Sequence, residues 1–188
     1  MTARFVAPQS PPGILTLIAA DLANFILFFG YFMVERAGEP MLYARSARAL
    51  DVRLGLLNTI ILITSGWLVA MALEAARSGR QAAARRRLAF ALGTGSIFVV
   101  VKTFEYSSKL KQGLAPQTND FFQFYYVLTG VHLLHVVIGL ALLAAAFVRL
   151  RRIDAAGAGW LESSALFWHM VDVLWVFLFA MLYLQGAS

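Results

Sequence analysis

No cysteine occurs anywhere in this sequence. That excludes disulfides, thiolate metal sites, iron–sulfur clusters and covalently attached haem. Charge is almost as scarce. Asp, Glu, Lys and Arg make up 14% of the 188 residues, against about 25% in an ordinary soluble domain. No repeat and no second domain is visible. What fills the chain is apolar: 60% of residues are hydrophobic and the mean hydropathy is +0.71. The composition is that of an integral membrane protein, and the length is that of one domain. The net charge of +6 does not point to a nucleic-acid partner, because the basic residues stand beside hydrophobic runs, where they set membrane orientation.

A helix needs about 20 mainly apolar residues to cross a bilayer core. Runs 14–34, 54–73, 88–106, 121–148 and 165–184 meet that length. The fold class is therefore all-α, an integral membrane bundle of five transmembrane helices. The fourth run would reach roughly 42 Å as a helix, so it should tilt or protrude. The first run is too long for a cleavable signal peptide, carries Asp21 and lacks a small-residue cleavage site.

Polar residues inside these spans carry the functional question, since an ionisable side chain at mid-bilayer is costly. Asp21 and Asn24 lie three apart on the first run and share a face. The second run carries Asn58, Thr59, Thr64, Ser65, Gly66 and Trp67, and the third carries Gly93, Gly95, Ser96, Lys102 and Glu105. Gly93, Gly95, Ser96, Thr64, Ser65 and Gly66 are expected to let helices approach and bond across interfaces. Glu105 can pair locally with Lys102 or Lys109 near the membrane boundary, or serve inside the bundle. The fourth run brings Thr129, His132 and His135, and "ALFWHMVDVLWVFLF" at 165–179 brings Trp168, His169, Asp172 and Trp175. Asn58, Trp67, Trp168 and Trp175 are candidates for contact with lipid or a partner.

His132, His135 and His169 lie on two spans, a pattern that can clamp a haem or, with carboxylates, a transition metal. The repeated Glu-x-x-His of carboxylate-bridged dimetal proteins is missing. Nothing specifies three ligands with an open fourth position. Histidines bonded to carboxylates or backbone carbonyls are the plainer reading, with no catalytic, cofactor-binding or metal residue assigned. An independent membrane cytochrome or metalloenzyme using the three histidines, and a small proton-coupled transporter using Asp21 and the histidines, remain the alternatives.

Five segments in order resemble subunit III of the haem–copper oxidases. They are "DLANFILFFGYF", "GLLNTIILITSGWLVAMAL", "VKTFEYSSKL", "FFQFYYVLTGVHLLHVVIGL" and "FWHMVDVLWVFLF". Together they cover nearly the whole chain. The short five-helix form, with "TNDFF" and "WHMVDVLW", is most similar to the NorE-type proteins associated with nitric oxide reductases. The resemblance implies a noncatalytic subunit in the bacterial inner membrane. It would pack on catalytic subunit I, which holds the haems and, in oxidases, copper. It would support stability, lipid environment, sustained turnover and proton uptake, and structural phospholipids are possible. Seven-helix members have two further helices at the start that wall a lipid-filled cleft, and these have no counterpart here. Asp21 matches the position of the family's buried glutamate. Asp21, Asn24, Glu105, His132, His135, His169 and Asp172 are expected to form a buried polar network, with Asp21 the candidate for a proton-linked role.

Orientation follows from the basic residues. One set of ends holds Arg4, Arg77, Arg80, Arg85, Arg86, Arg87, Arg149, Arg151 and Arg152. The other holds Arg36, Arg45, Arg48, Arg53, Lys109 and Lys111. The positive-inside rule then places the N-terminus in the cytoplasm and the C-terminus in the periplasm. Reporter fusions at Ala82 should read cytoplasmic and fusions after Ser188 periplasmic; the opposite pattern would invert the assignment.

Overall fold

The computed structural model describes residues 12–150 and 155–186. Among these the chain is helical throughout: α1 Pro12–Gly38, α2 Pro40–Ala47, α3 Val52–Arg77, α4 Gln81–Lys111, α5 Asp120–Arg149 and α6 Ala155–Tyr183, followed by a 3₁₀ turn at Leu184–Gly186. Five of the helices are long and apolar enough to cross a bilayer, as the composition requires. Several run past the apolar segments. Helix α4 begins seven residues before position 88, through Arg85, Arg86 and Arg87, because hydropathy marks the bilayer-crossing part of a helix and not its ends. Arg4, Arg151 and Arg152 lie outside the described residues.

The helix boundaries have local causes. Asp51 caps α3, its carboxylate accepting from the Arg53 and Leu54 amides at 2.9 and 3.3 Å. Asn119 caps α5 by accepting from the Phe122 amide at 3.1 Å. Helix α3 ends at Gly79, φ +72°, where the Gly79 and Arg80 amides donate back to Ala76 and Ala75. Helix α4 ends in the same way at Gly113, φ +78°, with Leu114 donating to Lys109. Both are left-handed caps that glycine adopts without steric cost. Pro40 cannot continue α1 and instead opens α2 at its first position.

Helices α3 to α6 form an up-down four-helix bundle in which α3 touches α4, α4 touches α5, α5 touches α6 and α6 returns to α3. Helix α1 leans on the outside, against α5 and α6, through Phe25 on His135, Phe32 on Phe124 and Phe29 on Phe177. The short α2 lies across one end, over α5 and the 3₁₀ turn. It is fixed by Tyr43 on Phe121 and by the Asn119 amide donating to Ser46 at 3.0 Å. Tyr43 lies outside the spans. Burial and the nearby Asp120 push its phenol up to about 12, so it packs as a neutral ring.

Glycines admit α6 into the bundle. Trp168 is buried between α4 and α5, where a Cβ on Gly139 or Gly95 would come within 2.6 or 2.9 Å of its indole. Further along, the Asp172 carboxyl rests directly on Gly66, and Phe179 and Tyr183 rest on Gly55. Ser65 ties α3 to α4 by donating to the Ala91 carbonyl at 2.8 Å. Gly66, Gly95 and Ser65 therefore serve helix approach as their residue types predict. Thr64 and Ser96 instead bond carbonyls of their own helices, and a Cβ on Gly93 would meet nothing within 4 Å.

This contrast generates a test. Gly139→Val drives a branched side chain into the Trp168 ring and should cost about 1–3 kcal/mol. Gly93→Ala should stay within about 0.5 kcal/mol of the parent. Thermal unfolding in mild detergent reads both, and equal stability of the two variants would refute the slot.

Candidate functional site

The polar residues of the spans do not join into one network. The structure divides them among separate places, each with its own chemistry.

The first is a closed cluster at the meeting of α4, α5 and α6. Lys102 and Glu105, one turn apart on α4, are both 0% exposed. The Lys102 ammonium donates to Glu105 Oε2 at 3.2 Å, to the Tyr125 hydroxyl at 3.1 Å and to the Tyr183 hydroxyl at 2.7 Å. Both tyrosines donate in turn to Glu105 Oε1, at 2.9 and 2.7 Å. Every proton of the ammonium and both carboxylate oxygens are thereby engaged. The rings of Tyr125, Tyr106, Trp175 and Tyr183 stand 4.6 to 5.3 Å from the ammonium, and their faces favour a cation. The pair lies toward one end of its helix, as a boundary pair would, but both side chains are fully buried. Glu105 therefore acts inside the bundle. Lys109 takes no part and donates to the Ala49 carbonyl at 2.5 Å.

Beside this cluster, Trp175 donates to Thr59 on α3 at 3.0 Å, and Thr59 donates to the Gly55 carbonyl at 2.9 Å. His132 is fully buried against Trp175 and Phe98, with ring centroids 5.3 and 5.7 Å apart. Neither of its nitrogens, and neither side-chain polar atom of buried Asn58, has a hydrogen-bond partner among the described residues. Asn58, Trp168 and Trp175 are all 0% exposed. They line the chain's own interior, a correction to their reading as lipid or partner contacts. Trp67, at 61% exposure, does face outward.

Asp21 on α1 meets His135 on α5, with Oδ2 and Nε2 3.5 Å apart. The other ring nitrogen, Nδ1, lies 2.8 Å from the Val131 carbonyl. A carbonyl only accepts, so Nδ1 carries a proton. Nε2 then faces the carboxylate, and the contact is attractive only when one further proton sits on either partner. The pair is half-buried, with side chains 24% and 15% exposed. It is a polar tie between the outlying α1 and the four-helix bundle. Asn24, one turn further along α1, is exposed.

His169 lies on the outer face of α6, and Asp172 lies beside it, buried against Gly66 of α3. Their Nδ1 and Oδ2 are 3.7 Å apart, beyond hydrogen-bond reach. The His169 side chain is 44% exposed, so it is not a buried network member. Its apolar neighbours in sequence gave no sign of this, because the i,i+3 spacing fixes a shared face but not what that face meets. The three histidines point to three different surroundings. Among the described residues no three His, Asp or Glu side chains stand close enough to share a metal ion.

Sequence reading missed Tyr125 and Tyr183, the two hydroxyls that complete the lysine–glutamate cluster. Tyrosines in apolar helices read as packing, and only the paired Lys102 and Glu105 signalled that acceptors and donors must be found elsewhere.

If the closed cluster holds α4, α5 and α6 together, Lys102→Met strands Glu105 and should cost about 3–5 kcal/mol. The double variant Lys102→Met/Glu105→Leu should recover much of that loss. A double variant as unstable as the sum of the single ones would show that the two side chains are not coupled.

The family model for cytochrome c oxidase subunit III matches residues 14–187. A protein of Synechocystis sp. named cytochrome c oxidase subunit 3 is 31% identical over 175 residues, 92% of this chain and 74% of that protein. A probable quinol oxidase subunit 3 of Staphylococcus aureus is 24% identical over 176 residues, 93% of this chain and 88% of its own length. With the match spanning all five membrane-crossing helices, the chain belongs to the cytochrome c oxidase subunit III family.

Proposed function

We propose that this chain is the noncatalytic subunit III of a respiratory haem–copper oxidase in the bacterial inner membrane, with its N-terminus cytoplasmic and its C-terminus periplasmic. It packs on catalytic subunit I and sustains that subunit's turnover through stability, lipid environment and proton supply. The haems and copper belong to subunit I, and this chain carries no haem or metal of its own. The observation that carries the reading is the family match over residues 14–187. The interior agrees with a structural role: Lys102, Glu105, Tyr125 and Tyr183 bond one another and tie three helices together. The Asp21–His135 pair is the proton-linked group of the proposal, because a carboxylate and an imidazole meet there on partly exposed side chains.

A second reading rests on "TNDFF" and "WHMVDVLW", which resemble NorE-type proteins. In that case the catalytic partner is a nitric oxide reductase. Genes for one or the other catalytic subunit beside this one separate the two.

The direct test is copurification in mild detergent with a haem-bearing catalytic subunit. Removing this chain should leave part of the activity and shorten the time over which turnover is sustained. Asp21→Asn should assemble normally yet shorten turnover in the same way. Complete loss of activity with subunit I still fully loaded with haem would contradict a supporting role. A Soret band or stoichiometric iron, copper or zinc in the purified chain would favour the independent metalloprotein.

A further inference from the structure

The face shared by α3 and α6 carries a groove of about 310 Å³, its floor and walls including Ile63, Gly66, Trp67, His169, Asp172 and Val176. Gly66 falls near the middle of the Val52–Arg77 span, and His169 and Asp172 near the middle of Gly159–Tyr183. The groove therefore opens sideways at about half the depth of the bilayer. Ionisable residues at that depth face a bundle interior or a water-filled cavity. His169 faces neither within this chain, since its side chain is 44% exposed on the bundle's outside. Asp172 is nine-tenths buried: its Oδ1 is sealed inside the chain, while Oδ2 lies against Gly66 of the groove lining and 3.7 Å from His169 Nδ1, beyond hydrogen-bond reach. The carboxyl is aimed at the groove floor, against Gly66.

Several outward polar groups elsewhere on the bundle are satisfied locally. Thr94, Ser96, Thr103 and Ser107 donate to carbonyls of their own helix, and Asp21 has His135. Lipid tails offer the α3–α6 groove no donor. A polypeptide helix can, and Gly66, with no side chain, leaves space for close approach.

We infer that this groove is the docking face for a transmembrane helix of the catalytic subunit, one that presents a hydrogen-bond donor (a hydroxyl, amide or indole N–H) to Asp172 at mid-membrane. The inference rests on the subunit reading above and adds which face makes the contact. Trp67 and Val173, both exposed in the isolated chain, flank the docked helix. The donor satisfies the carboxyl that this chain leaves open.

The test places a photoreactive benzoylphenylalanine at Trp67, at Val173 or at Leu134. Leu134 is an equally outward residue of α5 at similar depth. Irradiation is done in membranes holding the intact complex. Adducts with the catalytic subunit are expected from positions 67 and 173 and not from 134. Asp172→Leu should lower the fraction of catalytic subunit retained on the tagged chain by roughly three- to tenfold, equivalent to about 0.6–1.4 kcal/mol, and Asp172→Asn should lose less. Equal adducts from all three positions would overturn the docking face. So would adducts from 67 and 173 only with lipid, or only with a second copy of this chain. Parent-level retention by Asp172→Leu would remove Asp172 from the contact. A parent chain that brings down no catalytic subunit would refute the subunit reading itself.

Discussion

Lys102 and Glu105 are taken wholly out of solvent where α4, α5 and α6 meet. In a bilayer-embedded bundle such a pair persists only if each polar atom finds a partner inside the protein. Two tyrosines from two other helices supply those partners. This requirement sets the register of three helices at once. Tyr183 must reach Lys102 from the last turn of α6, and Tyr125 from the second turn of α5. The antiparallel match of α3 to α6 then follows residue by residue: Gly55 under Tyr183, Thr59 bonded to Trp175, Gly66 under Asp172 and Arg77 paired with Glu162 at 3.1 Å. The short α2 packs on α5 and on the 3₁₀ turn that follows Tyr183.

The same constraint explains why the remaining polar groups lie apart. A closed cluster has no free valence with which to recruit His132, His135 or His169. Each histidine instead reports a different environment: an aromatic interior, a crevice between α1 and α5, and an outer face at half depth. Only the second sets a histidine against a carboxylate of another helix. It is also where the least buried helix of the bundle is attached, so chemistry and attachment coincide at Asp21.

Much of this was legible in the sequence because hydropathy and residue size act locally. The five spans follow from apolar run length alone. Gly66, Gly95 and Ser65 announced helix contacts because small residues in apolar helices have few other uses. Glu105 three residues after Lys102 announced a pair. The local signal stops there, since which tyrosines complete the pair depends on the register between helices, to which single-helix patterns are blind. The exposure of His169 depends on which side of α6 meets α3. Gly55 and Gly139 were passed over because a glycine's tryptophan or tyrosine neighbour comes from elsewhere in the chain. Helix α2 was missed because eight residues are far too short to give a span signal.

Membership in the subunit III family fits a chain whose strongest interior chemistry holds helices together. The central physical claim is that a lysine–glutamate pair bonded by two tyrosines holds α6 in the bundle. Solid-state NMR in lipid bilayers tests it most directly, with ¹⁵N-lysine and ¹³C-tyrosine labels. Lys102 is one of three lysines, and its signal is assigned by changing Lys109 and Lys111 to arginine. The account predicts an ammonium-type Nζ resonance in dipolar contact with the ring carbons that bear the Tyr125 and Tyr183 hydroxyls. A Lys102 Nζ with no tyrosine contact, or one that exchanges freely with water, would contradict it.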